Sequence, residues 1–213
     1  GAAVGVLGGL IGLGGAEFRL PILITVFTLP IHDAVRLNLL ISLATVIASL
    51  GGRFAFASFP SLLGLVPELF AVTTGAVLAA WFGAGWLRRI ESASLTKIVA
   101  GLLAVVGALL LAESVFGLDG GGGVSDEGSR LLVGFAAGLV IGLVSSMLGV
   151  AGGEFLIPTF MLVFGADVTT AGTASLVVSL PTVAVGVTRF WAQGSYRDRR
   201  VLLGIGAPMA IGS

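Results

Sequence analysis

Gly12-Leu13-Gly14-Gly15-Ala16-Glu17-Phe18-Arg19-Leu20-Pro21 returns in the second half of the chain as Gly149-Val150-Ala151-Gly152-Gly153-Glu154-Phe155-Leu156-Ile157-Pro158. Both copies lie in very apolar sequence, and each sets a glycine cluster, a carboxylate and a proline close together. Glycine runs weaken a helix, proline interrupts its hydrogen bonds, and a carboxylate inside an apolar span is expensive. Two such stretches read as two broken transmembrane segments that build one site.

The surroundings support a membrane setting. Of the 213 residues, 56% are hydrophobic and 10% charged, where soluble domains carry roughly a quarter charged residues. Mean hydropathy is +1.12. Long Leu/Val/Ala/Gly runs replace the two-residue alternation of a membrane barrel, so the expected fold is all-α: a polytopic transmembrane helical protein. Without cysteine there is no disulfide, thiolate metal site or cysteine nucleophile. One histidine, His32, excludes a multi-histidine metal centre within this sequence. No Ser/His/Asp arrangement, H-E-x-x-H or phosphate-binding G-x-x-x-x-G-K-[ST] is present, so neither an enzyme nor a bound cofactor is expected. The balanced charge gives no sign of a nucleic-acid partner.

Runs long enough to cross a bilayer fall at 1–29 (broken near 12–17), 34–56, 62–86, 94–116, 130–164 (broken near 149–154) and 170–192, with another beginning near 200. The Gly-rich acidic stretch 117–129 reads as a flexible linker between a first repeat, 1–116, and a second, 130–213. Aligning 5–50 on 142–187 gives 14 identities in 46 positions, Glu17/Glu154, Pro21/Pro158, Ser42/Ser179 and Thr45/Thr182 among them. With one deletion Arg53-Phe54 also falls on Arg189-Phe190. The chain starts at Gly1 and stops inside an apolar run, so both ends, and the second repeat, are expected to be truncated.

Arg88, Arg89 and Lys97 mark one basic loop, and Arg197, Arg199 and Arg200 another. Placing both in the cytoplasm and the acidic linker outside requires an odd number of crossings on each side of the linker. A continuous helix over 130–164 would measure about 52 Å against a core of about 30 Å. If that segment instead goes in and returns, the parity holds. The two halves then enter from opposite sides, an inverted-repeat architecture.

Gly12, Gly14, Gly15, Gly149, Gly152 and Gly153 are read as helix breaks, because freed N–H groups at a half-helix start attract anions. Gly134 and Gly138, by contrast, read as close-packing positions between helices. Glu17 and Glu154 admit two roles: proton carriers or ion ligands, or caps on the following half-helix. Asn38, Ser42, Thr45 and Ser175, Ser179, Thr182 form one stripe in each half, suited to interhelical hydrogen bonds or to lining a path. Arg53 and Arg189 end corresponding segments, either snorkelling or attracting an anion. Trp81, Trp86 and Trp191 read as interface anchors.

The pattern G-[IV]-x-G-G-x-x-x-x-P, met by Gly149–Pro158 and approximated by Gly12–Pro21, resembles the TauE/SafE family of membrane proteins, sulfite and organosulfonate exporters. The resemblance covers nearly the whole chain, and the doubled glutamate departs from the family's usual form. It implies a secondary exporter of small sulfur-containing anions in the inner (cytoplasmic) membrane. The anion would be held near the midplane by Gly12–Glu17 and Gly149–Glu154, with Asn38, Ser175, Arg53 and Arg189 as further candidates. The implied partners are a small anion and the lipid bilayer, and a homo-oligomer is left open. Two alternatives stay beside this one: a cation transporter using the paired glutamates, and a non-transporting membrane scaffold.

Overall fold

The computed structural model describes residues 16–56, 60–86 and 126–193, with 90, 91, 93, 94, 97, 100 and 101. The expected crossing over 94–116 and the break at Gly12–Gly15 fall largely or wholly outside the described residues. Among those described, every regular element is helical: α1 (Ala16–Thr25), α2 (Ile31–Phe56), a 3-10 turn (Pro60–Leu65), α3 (Val66–Trp86), α4 (Glu127–Leu148), α5 (Gly153–Leu162) and α6 (Val168–Ala192). Four stretches are long and apolar enough to cross a membrane: Ile31–Arg53, Leu62–Trp86, Glu127–Leu148 and Val168–Ala192. The segment 130–164 is, as its length demanded, two helices around a break.

The repeat persists in the backbone. α2 and α6 start at 31 and 168, in the register that aligns 5–50 on 142–187. Both short helices carry an internal proline at the same place, Pro21 and Pro158.

α6 begins ahead of the apolar run because Asp167 caps it, accepting from the N–H groups of Thr169 and Thr170 and, at 2.6 Å, from Thr170 Oγ1. Asp126 caps α4 by accepting from Ser129 N and Oγ. These hydrogen bonds hold both carboxyls below the usual carboxylate range: chiefly the Thr170 hydroxyl for Asp167, and chiefly the Ser129 N–H for Asp126. A depressed folded-state pKa means stability that is full above the unfolded value and fades as pH falls through the folded one. Asp167→Ala should therefore lower the thermal midpoint at neutral pH. The gap to wild type should narrow once the medium is acid enough to protonate Asp167, as circular dichroism melts across pH would show.

α3 and α4 run parallel and close together. A Cβ built on Gly138 would strike the Val72 carbonyl oxygen, one on Gly142 the Ala76 carbonyl oxygen, and one on Gly75 the Phe135 carbonyl oxygen. Small residues permit that approach where lipid offers no hydrophobic drive, so the packing role read for Gly134 and Gly138 is the one observed. The parallel course puts the end of α3 and the start of α4 at opposite ends of the bundle.

α2 and α6 are antiparallel. Arg53, near the end of α2, donates to Thr173 Oγ1 at 2.7 Å and to the Thr169 carbonyl in the first turns of α6. At the other end Arg36 of α2 lies over the Phe190 ring. The core divides accordingly. α1 packs with the first half of α2 and with Val183, Val187 and Phe190 of α6, and α5 packs with Val72, Ala76 and the Ala171–Val178 half of α6. Outward faces remain apolar: Phe70, Leu78, Phe82, Leu132 and Val140 are exposed, as a lipid-facing hull requires. Trp86 and Trp191 are exposed at the ends of α3 and α6, where interfacial anchors belong.

Candidate functional site

α4 stops where Gly149 turns left-handed, with φ 68° and its N–H on the Ser145 carbonyl. The Val150 N–H follows onto the same oxygen at 3.1 Å. Gly152, at φ 79°, then launches α5, its carbonyl accepting from the N–H groups of Phe155 and Leu156. A left-handed residue is costly for anything but glycine. Within the repeated ten-residue stretch these two positions are the ones at which the copies share glycine, Gly12/Gly149 and Gly15/Gly152. Gly153, whose counterpart is Ala16, lies outside the left-handed region, and its Cβ would meet nothing within 4 Å.

Irregular backbone at membrane depth survives only if its polar groups find partners. Here three successive carbonyls are each served by a serine from a different helix. Ser42 Oγ of α2 donates to Gly149 O at 3.4 Å, Ser145 Oγ of α4 to Val150 O at 2.6 Å, and Ser179 Oγ of α6 to Ala151 O at 2.7 Å. Ser42 and Ser179 are the repeat-related pair, and both are buried near the middle of their helices. The acceptor side of the break is thus occupied. On its donor side Phe155 and Leu156 bond back to the Gly152 carbonyl, and the start of α5 carries the positive end of the helix dipole.

Glu154 is the second residue of α5 and is buried at 6% exposure, and its counterpart Glu17 lies in α1. Asn38 ties the other half-helix down, its Nδ2 donating to the Ala16 carbonyl at 3.0 Å. Its Oδ1 is buried with no partner among the described residues. Ser175 is buried but turns back to the Gly172 carbonyl of its own helix. Gly12, Gly14 and Gly15 lie outside the described residues.

The sequence grouped two arginines with this site, and the structure holds them apart. Arg53 clamps α2 to the start of α6, while Arg189, near the opposite end of α6, stacks on Trp81 with its guanidinium carbon 4.3 Å from the ring centre. A third arginine, not among the candidates, lies at the centre. Arg19 is 1% exposed. Its Nη2 donates to Ser42 Oγ and its Nη1 to Thr45 Oγ1, both at 3.2 Å. Ser42 is the residue that holds Gly149 O, so Arg19 of the first repeat stands two hydrogen bonds from the break in the second. Helical side chains lean toward their own N-terminus, and Arg19 reaches past Ala16, which faces Asn38, to residues farther along α2. The signal was available: a charge just beyond the repeated glutamate, at a position where the repeats differ, Arg19 against Leu156.

Beside the break, Leu39, Ala80, Ser145, Ser146, Thr182, Val183 and Gly186 line a cleft between α2, α3, α4 and α6 that is too narrow to admit a water molecule. A charge pair with a buried carboxylate lies away from it. Arg130 Nη2 of α4 pairs with Glu68 Oε1 of α3 at 2.8 Å, and Arg130 also donates to the Phe164 carbonyl.

Apolar membrane-length helices enclosing a broken helix, with buried polar groups gathered round the break, are the build of a multi-pass membrane transporter. The sequence profile described as sulfite exporter TauE/SafE matches residues 1–213, and the chain belongs to that family. No curated protein and no solved structure matches it. Membership makes it a membrane transporter of the sulfite-exporter kind.

Proposed function

We propose that the chain is a secondary exporter of small sulfur-containing anions, sulfite or an organosulfonate, across the inner (cytoplasmic) membrane. The anion sits at the break between Gly149 and Glu154, together with the corresponding stretch Gly12–Glu17. The observation that carries this reading is the asymmetry of the break: serine hydroxyls take its carbonyls, while the positive end of the α5 dipole begins there. A buried arginine within two hydrogen bonds favours an anion over the cation alternative.

The antiparallel packing of the repeat-related α2 and α6, and of α1 and α5 against opposite halves of α6, supports an inverted repeat. Rocking of one repeat against the other would then open the closed cleft to each side in turn. Glu17 and Glu154 act as gates or proton carriers and couple export to the proton gradient.

Proteoliposomes loaded with sulfite test this. Wild type should release sulfite faster when a pH gradient is imposed, and Gly152→Leu should abolish release. At that position φ is 79° and a Cβ already lies 3.0 Å from Ser145 Oγ, so leucine deforms the break. Folded wild-type protein that moves no sulfite would sink the substrate assignment. Unchanged release by Gly152→Leu would remove the break from the path.

A further inference from the structure

We infer that Arg189, stacked on Trp81, holds the phosphate of an anionic phospholipid where the ends of α3 and α6 meet the membrane interface. The inference stands apart from the transport reading above. Arg19, Arg36, Arg53 and Arg130 each donate to an oxygen of a side chain or carbonyl. Arg189 differs from these four. Its guanidinium carbon lies 4.3 Å from the centre of the Trp81 ring, its Nε is buried with no partner, and among the described residues no oxygen meets its Nη groups. The ring fixes the plane of the guanidinium, and the fork keeps parallel N–H donors for two oxygens of a phosphate.

The surroundings favour a lipid over a dissolved ion. A Cβ on Gly85 would lie 3.7 Å from Arg189 Nη2, which sets the guanidinium at the depth between Trp81 and the exposed Trp86, within the interfacial belt. Leu78 and Phe82, beside Trp81 on α3, are exposed and give acyl chains an apolar surface. In sequence both helices run on into basic stretches: Arg88-Arg89 after α3, and Arg197 with Arg199-Arg200 after α6, against the acids Glu91 and Asp198. Such juxtamembrane clusters draw anionic lipid. Asp33, on α2 at the same end, is already engaged by Arg36. An anionic headgroup therefore supplies the countercharge that the half-buried Arg189 lacks within the described protein, where an unpaired charge is costly.

The tryptophans of the chain, Trp81, Trp86 and Trp191, all lie toward this end of α3 and α6, so intrinsic fluorescence reports on it. The chain is placed in phosphatidylcholine vesicles with a minor share of phosphatidylglycerol, and one lipid or the other is brominated near the headgroup end of its acyl chains. Quenching by brominated phosphatidylglycerol should exceed its share of the lipid, as a preference of about fivefold at the site requires. Arg189→Gln should remove the excess, and Arg189→Lys, a point charge without the fork, should keep part of it. Gly85→Asp brings a carboxylate within reach of the same guanidinium and should displace the lipid with the arginine in place, whereas Gly85→Asn should not. Quenching in proportion to each lipid's share overturns the assignment. So does an excess that survives Arg189→Gln or, where that variant does not fold, Gly85→Asp. An excess cancelled by inorganic phosphate at constant ionic strength would give the site to a free oxyanion and overturn the lipid.

Discussion

Gly138→Leu should yield no stably folded protein. The seam between α3 and α4 has no slack there. A Cβ at 138 would run into the Val72 carbonyl oxygen, with the Val72 carbonyl carbon at 2.9 Å and the Ala76 nitrogen at 3.0 Å behind it. These are backbone atoms of a helix and cannot rotate away as a side chain would. Gly142 and Gly75 face backbone in the same seam, so relief at 138 means parting the two helices along their length. Overpacking in a well-filled interior typically costs about 1–3 kcal/mol. An obstacle made of backbone belongs at or above the upper end, a large share of a total stability of about 5–15 kcal/mol. Gly51 serves as control, since its Cβ would meet nothing within 4 Å. Size-exclusion profiles and thermal melts should show Gly51→Leu close to wild type and Gly138→Leu aggregated or unfolded. Equal midpoints for the two would show that the seam is not as tight as described.

The second large effect belongs to the pair of buried Glu68 and half-buried Arg130. Arg130→Met should destabilise the protein by about 3–5 kcal/mol, because it strands a buried carboxylate. Glu68 is 6% exposed, and its Oε2 has no partner among the described residues, so Arg130 carries the compensation. The loss includes the bond to the Phe164 carbonyl and the guanidinium 5.8 Å above the Phe164 ring, contacts that tie the end of α5 back to the start of α4. Replacing both partners, Glu68→Met with Arg130→Met, should recover most of the stability, since an apolar pair of similar volume often equals a buried ion pair. A denaturant series in micelles gives the comparison. A double variant no better than Arg130→Met would mean that the pair's worth lies in the contacts to Phe164 and not in charge.

Much of this was legible because the chain states it twice. Glycine at both 12/149 and 15/152, against the mixed pairs Gly14/Ala151 and Ala16/Gly153, separates backbone necessity from composition. The structure puts Gly149 and Gly152, and not Gly153, in the left-handed region. The stripe Ser42/Ser179 was equally readable, since a hydroxyl repeated in one register inside an apolar helix must bond something, and both bond the break. What the repeat lacks was harder to read. Arg19 breaks the symmetry, with Leu156 at the equivalent position, so the repeat offers no second copy from which to read its role. Glu68 depends on Arg130, far along the chain on another helix, across a contact that no local pattern encodes. Arg53 and Arg189 match in sequence, yet antiparallel packing of α2 and α6 sends them to opposite ends.

The absence of cysteine permits a direct test of the break as the anion site. Gly153→Cys places a thiol at the start of α5, where a Cβ meets nothing within 4 Å and φ is not left-handed. Labelling by a small charged maleimide should be slowed by methanesulfonate at concentrations that saturate binding, and the labelled protein should no longer release sulfite. The same reagent at Gly128→Cys, at the start of α4, should label at one rate with or without the anion. Protection at 153 alone is the predicted result. Labelling at 153 that ignores the anion, in protein that still transports it, would contradict the site.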